Sequence, residues 1–156
     1  MPSTTPTIAE TLARFAAAQS YETIPAPIRE QARMHLLDSI GVALASTGFD
    51  FARRAYEGLS RFGSGEHQAI GMPGRLTLRD AVCMNGILIH GIEYDDTSIL
   101  GRIHPSASCA PAALGTAAYA HASGKEMLAA YVIGVECAIR IGAAPKGGFS
   151  PAGFNT

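Results

Sequence analysis

Apolar positions recur along this chain at helical spacing almost from end to end. Ile8, Leu12 and Phe15 are four and three residues apart, one face of a first helix. Thr7, with Glu10 three residues on, reads as its capping box. Pro25 and Pro27 interrupt the pattern, and Pro27 suits a helix first turn. From there Ile28, Ala32, Leu36, Ser39, Ile40, Ala43 and Leu44 form a stripe that runs to Gly48. A third helix is predicted from about Phe49 to Phe62, closed by the break Gly63-Ser64-Gly65. Gln68 to Gly71 is the one short stretch that reads as a strand, and Met72-Pro73-Gly74 reads as a turn. Thr77 with Asp80 predicts the start of a helix reaching about Glu93, whose Ala81, Gly86 and Gly91 suit close packing. Pro111 is expected within the first turn or so of the next helix, which ends near Gly124. Ser123 with Glu126 opens a last helix to about Gly142. The tail from Pro145 to Phe154 has loop chemistry. The expectation is an all-α bundle of about six helices with at most one or two very short strands. No βαβ alternation supports a nucleotide-binding α/β fold.

Composition narrows the possible partners. The 156 residues carry 12 Lys+Arg against 13 Asp+Glu, a net charge of -1, so no basic excess points to nucleic acid or to an anionic membrane. Charged residues make up 16%, against roughly 25% in an average soluble domain. A surface so poor in charge is expected to be partly covered by a partner. Cys83, Cys109 and Cys137 lack zinc-ligand spacing and are expected to be buried, reduced thiols. No basic apolar leader and no run of 18 apolar residues is present, so a soluble cytoplasmic protein is the expectation.

Against that background the stretch IEYDDTSILGRIHPS, residues 92–106, is exceptional. Glu93, Asp95, Asp96, Thr97, Arg102 and His104 gather in it. Asp95 and Asp96 fall just past a predicted helix C-terminus, where the helix dipole disfavours negative charge by about 0.3–1 kcal/mol. The free N–H groups of the next helix, beginning just after His104, are placed to answer that charge or to hold an anion. A bare Asp-rich turn accounts for Asp96 and Thr97 singly. The histidine and carboxylates together make an acid/base set. Asp95, Asp96 and His104 are chemically suitable metal ligands, but no second cluster of ligand spacing accompanies them, and no metal is expected. His90 is expected to be a packing histidine, and His35 and His121 partly exposed helix residues. A nucleophile elbow and a phosphate-binding P-loop are both missing.

Four segments in order resemble the MmgE/PrpD family: IPAPIREQARMHLLDSIGVALAS, LTLRDAVCMNGILIHGIEYDDT, HPSASCAPAALGTAAYAHASGKEMLAAYVIGVECAIRIG and the final GFNT, similar to that family's GFH-type segment. The resemblance spans nearly the whole chain. It implies a mostly helical domain, a homodimer, no metal or organic cofactor, and a small di- or tricarboxylate substrate. Activities in the family include 2-methylcitrate dehydration, cis-aconitate decarboxylation and iminodisuccinate epimerisation, all with proton transfer beside a carboxylate. The resemblance maps the site loop onto Glu93, Thr97 and His104, with Asp96 adjacent. His104, Asp96 and Glu93 are therefore the expected catalytic residues, and Thr97, Arg102 and Asp95 the expected substrate contacts. The decarboxylase branch has aspartate where this chain has Glu93. Asn155 replaces the family's histidine and cannot exchange protons near neutral pH. Family members are longer, with a lid domain and further lysines, so residues 1–156 are expected to be the N-terminal portion of the helical domain, without the lid. Three functions stand open: a lyase or isomerase part, a non-catalytic helical association module, and a small metal-binding helical protein.

Overall fold

The computed structural model describes residues 5–145; Lys146 and the GFNT segment with Asn155 lie outside the described residues. Six helices and a two-stranded antiparallel ribbon follow in the order α1 (Ile8–Ala17), α2 (Ala26–Ser46), α3 (Asp50–Ser60), β1 (His67–Gln68), β2 (Arg75–Leu76), α4 (Leu78–His90), α5 (Pro105–Tyr119) and α6 (Gly124–Ala143). The all-α reading holds. The ribbon lies slightly N-terminal of the predicted strand, because His67 and Gln68 find partners in Leu76 and Arg75 while Ile70 turns its N–H to the Asn85 side chain at 2.7 Å.

Helix starts follow local chemistry closely. Thr7 with Glu10 and Ser123 with Glu126 form reciprocal capping boxes on α1 and α6. Thr77 caps α4 by accepting from the Asp80 backbone N–H. Asp80 is buried, and its carboxylate accepts from Arg79 and from the Thr77 hydroxyl. The Arg79 hydrogen bond, and then that of Thr77, hold the Asp80 carboxyl below the ordinary carboxylate range. Helix ends were less legible. α4 stops at His90, short of Glu93, because Glu93 takes a left-handed conformation with φ 51°.

The core lies where α4 meets α2, α3 and α5. Leu76, Met84, Leu88 and Ile89 are fully buried there. The predicted α2 stripe is buried at Ala32, Leu36, Ser39 and Ala43, whereas Ile28 and Leu44 are exposed. The cysteine expectation needs correction. Cys83 is exposed, and Cys109 and Cys137 are only half-buried, although all three are free thiols. Cys83 sits one position before core residue Met84, on the exposed side of α4.

α4 and α5 approach closely because small residues line their contact. A side chain at Gly115 would strike Val82, and a Cβ at Gly86 would lie 3.0 Å from the Ala107 carbonyl oxygen. That carbonyl is the one that Pro111, lacking an N–H, leaves without its helical partner. Pro111 thus falls in the second turn of α5 instead of the first, since Pro105 itself opens the helix.

Because α4 carries His90 at its far end, its cap matters beyond local stability. Thr77→Ala is expected to lower unfolding free energy by about 1 kcal/mol, read by chemical denaturation. The depressed Asp80 carboxyl contributes stability that is present above the unfolded carboxylate value and is lost as pH falls through the lower folded value. Asp80→Asn should therefore flatten the acid side of the stability profile.

Candidate functional site

Residues 91–104 form a loop from the end of α4 to the start of α5. Its base is pinched by an isolated antiparallel bridge between Ser98 and Ile103, in which the Ser98 N–H donates to the Ile103 carbonyl at 2.9 Å. Gly101 within the loop packs on Gly142 of α6 so closely that a Cβ on Gly142 would collide with the Gly101 carbonyl. Glu93 and Arg102 both adopt φ 51°, so two left-handed residues frame the turn. Such conformations cost a non-glycine residue on the order of 1 kcal/mol and persist only where surrounding contacts impose them.

The loop turns Asp95 inward. Its carboxylate is only 1% exposed and lies 3.2 Å from His90 Nδ1 and 3.4 Å from His104 Nδ1. The two imidazole rings are 4.9 Å apart, centroid to centroid. An ionised carboxylate only accepts, so it favours rings that present Nδ1–H to it and keep their lone pair on Nε2; His90 is hydrogen-bonded to both carboxylate oxygens, and His104 lies within ion-pair distance of one. A buried carboxylate without such donors would cost several kcal/mol. The histidine pair is thus the condition for burying Asp95, and Asp95 fixes the orientation of both rings.

Asp96 points the other way. Its Oδ1 accepts from the Ser106 backbone N–H, in the first turn of α5, at 3.1 Å. The charge that sits badly behind α4 is answered by the N-terminus of α5. His35 on α2 approaches Asp96 Oδ2 at 3.9 Å. The Ser106 hydroxyl is bonded at 2.6 Å to the hydroxyl of Tyr131 on α6, both side chains being buried. Burial pushes the Tyr131 phenol up to about 12. Tyr131 therefore remains a neutral hydroxyl at any ordinary pH.

Asp96, Thr97, His35 and Tyr131 share a cleft of about 360 Å³ between α2, the loop, α5 and α6, with Ile28 and Glu136 on its walls. Thr97 bridges the two halves of the site, lining the cleft while its Oγ1 lies 3.5 Å from His104 Nδ1, at the outer edge of hydrogen-bonding range. Among the described residues the cleft lining includes no lysine or arginine.

The predicted residues are thus placed unequally. His104, Asp95 and Thr97 meet, and Asp96 stands beside them on the cleft. Glu93 and Arg102 are exposed on the loop flanks and are not among the cleft-lining residues. Asp95, expected to touch substrate, has a buried carboxylate that faces the imidazoles of His90 and His104 and is not among the cleft-lining residues. His90, read as a packing histidine, is a partner of that carboxylate. Its separation of five from Asp95 matched no helical pairing, because the chain leaves the helix between them. His35 was noted only as a helix residue. Nothing in local spacing linked it to Asp96, 61 positions along the chain.

Neutralising the high Tyr131 pKa is a clean test of this buried pair. Tyr131→Phe leaves Ser106 Oγ without its partner and should cost about 1–2 kcal/mol at pH 7. The native phenol is raised, so its contribution is complete below about pH 10 and declines as pH rises toward 12. The variant's stability should fall less steeply over that window, measured by denaturant titration at each pH.

No curated protein matches the chain. The model of the MmgE/PrpD N-terminal domain matches residues 10–153, a span that contains most of α1, all of α2 to α6, the loop, the histidine–aspartate cluster and the cleft. With that match across nearly its whole length, on a helical fold of the expected kind, the chain belongs to the MmgE/PrpD family and corresponds to its N-terminal domain.

Proposed function

We propose that this domain supplies the acid/base wall of a lyase or isomerase site, moving a proton at carbon beside a carboxylate of a small di- or tricarboxylate. The observation that carries the reading is the seating of His104 on the buried Asp95 carboxylate. With Nδ1–H committed to Asp95, Nε2 is the nitrogen that accepts a proton from carbon and returns one to the product or to a departing group. Asp95 also stabilises the imidazolium that forms during transfer, as a positioning residue that does not touch substrate. Thr97 and the rim residue Arg102 offer groups for a substrate carboxylate. Asp96, on the cleft itself, is the second catalytic carboxyl, and Glu93 on the flank orients or shares protons. Dehydration, decarboxylation and epimerisation all fit this chemistry, since each makes or breaks a bond next to a carboxylate.

Charge sets a requirement on the same site. A polycarboxylate bound in a cleft bearing Asp96 and Glu136, with no lysine or arginine in the described lining, needs cations from elsewhere. Those would come from further chain or from a second subunit. Assembly as a homodimer in the cytoplasm belongs to this reading. It is supported by the low charge content and by exposed Met34, Leu37 and Leu44 on α2. The same exposed residues favour a second reading, a non-catalytic helical module that only associates with another chain.

Solvent deuterium incorporation into a panel of 2-hydroxy and unsaturated di- and tricarboxylates, followed by proton NMR, tests the first reading. Turnover by the chain alone should be low, for want of cations. His104→Ala should reduce it a further 10²–10⁴-fold, the range for a lost general acid/base. A change under about threefold in a folded variant would return His104 to a purely structural role. Asp95→Asn should lower kcat by about 10²-fold or more with KM little changed, because the amide can present its N–H to His104 and favour the wrong tautomer. Absence of any exchange, with a dimer by sedimentation, would favour the association module.

A further inference from the structure

Outside the proton-transfer reading, the histidine–aspartate cluster has a geometry with its own consequence. One ring nitrogen of His90, one of His104 and one Asp95 carboxylate oxygen all lie within 4.8 Å of one another. In a tetrahedral site two ligand atoms are separated by about 1.63 bond lengths, so bonds of roughly 2.0–2.1 Å place them about 3.3 Å apart. The two edges from Asp95 Oδ1 measure 3.2 Å to His90 and 3.4 Å to His104. The donor set, two imidazoles and one carboxylate, is that of open zinc sites, which keep a fourth position for water. His90 Nδ1 lies 3.2 Å from both carboxylate oxygens and His104 Nδ1 lies 3.4 Å from Oδ1, so the two rings face one carboxylate that has no other partner within the described hydrogen bonds. Access is open as well, since the His90 side chain is 40% exposed and that of His104 23%.

We propose that His90, Asp95 and His104 form a site for a borderline divalent metal of the zinc class. Binding moves the single proton of each neutral ring from Nδ1 to Nε2 by way of solvent, with no net proton released. The Nδ1 lone pairs then face the metal, and each ring stays neutral with its proton on Nε2. His104 in that state has no basic lone pair at Nε2, so the metal-loaded form is closed to proton abstraction. The metal site stands on the geometry alone; its inhibitory effect rests on the acid/base reading above.

The test uses the whole chain, stripped with chelator and titrated with Zn²⁺ against a chromophoric competitor, and with Co²⁺ for its visible bands. One metal per chain is expected, with the intense cobalt bands of a four-coordinate site. His90→Ala, His104→Ala and Asp95→Asn should each weaken binding by at least the roughly 10–100-fold that even an outer-shell partner is worth. His121→Ala, at an exposed position on a different loop, should leave it unchanged. Should His104→Ala fail to fold by circular dichroism, His90→Gln at the half-exposed end of α4 carries the same comparison. Lack of saturable 1:1 binding, or binding equally strong in the folded His90 variant, overturns the proposal. Retained metal binding without metal-dependent loss of deuterium exchange would overturn only the acid/base reading.

Discussion

The close crossing of α4 and α5 is the constraint on which the site depends. His90 ends one helix and His104 caps the other, so the two rings can meet on a single carboxylate only if the helices are held near each other. Gly86 and Gly115 remove the side chains that would keep them apart. Pro111 adds a local irregularity at the Ala107 carbonyl, the atom that Gly86 approaches. Beneath this contact Met84, Leu88 and Ile89 are fully buried, and truncating any one of them to alanine would cost on the order of 2–5 kcal/mol. Precision at the histidines is therefore supplied by apolar packing behind them.

The loop between the two helices divides its two aspartates by environment. Asp95 goes into the protein and is satisfied by imidazoles. Asp96, its neighbour, goes to the cleft and is satisfied by the N-terminus of α5. The chain bends at Asp95, and the two carboxylates leave it on different sides. Two left-handed residues, the Ser98–Ile103 bridge and the Gly101–Gly142 contact hold the segment in that form. The same carboxylate chemistry thus serves two purposes, anchoring two imidazoles and lining a cleft.

That cleft combines apolar walls with polar groups of fixed protonation. Tyr131 is locked neutral by burial and bonded to Ser106, whose own N–H holds Asp96. A displacement of α6 would be felt at Asp96 through this short chain of contacts. The described lining presents carboxylate, imidazole and hydroxyl groups and includes no lysine or arginine.

Local chemistry in the sequence determined the helical class, the three side-chain caps at Thr7, Thr77 and Ser123, and the segment in which ionisable groups collect. The helical class and the caps depend on residues within four positions of one another, the range over which helix periodicity and capping act, and the ionisable segment is legible from its composition. The motif order also carried the family. Tertiary structure decided what that segment does. It buried Asp95 beside His90 at the end of α4, off the cleft lining, and brought His35 and Tyr131 to the cleft from α2 and α6. It also exposed Cys83 and left Ile28 and Leu44 outside the core, because burial depends on which neighbouring helix covers a face, and periodicity alone does not specify the neighbour. Local spacing could name the acids and histidines; only packing of distant helices could pair them.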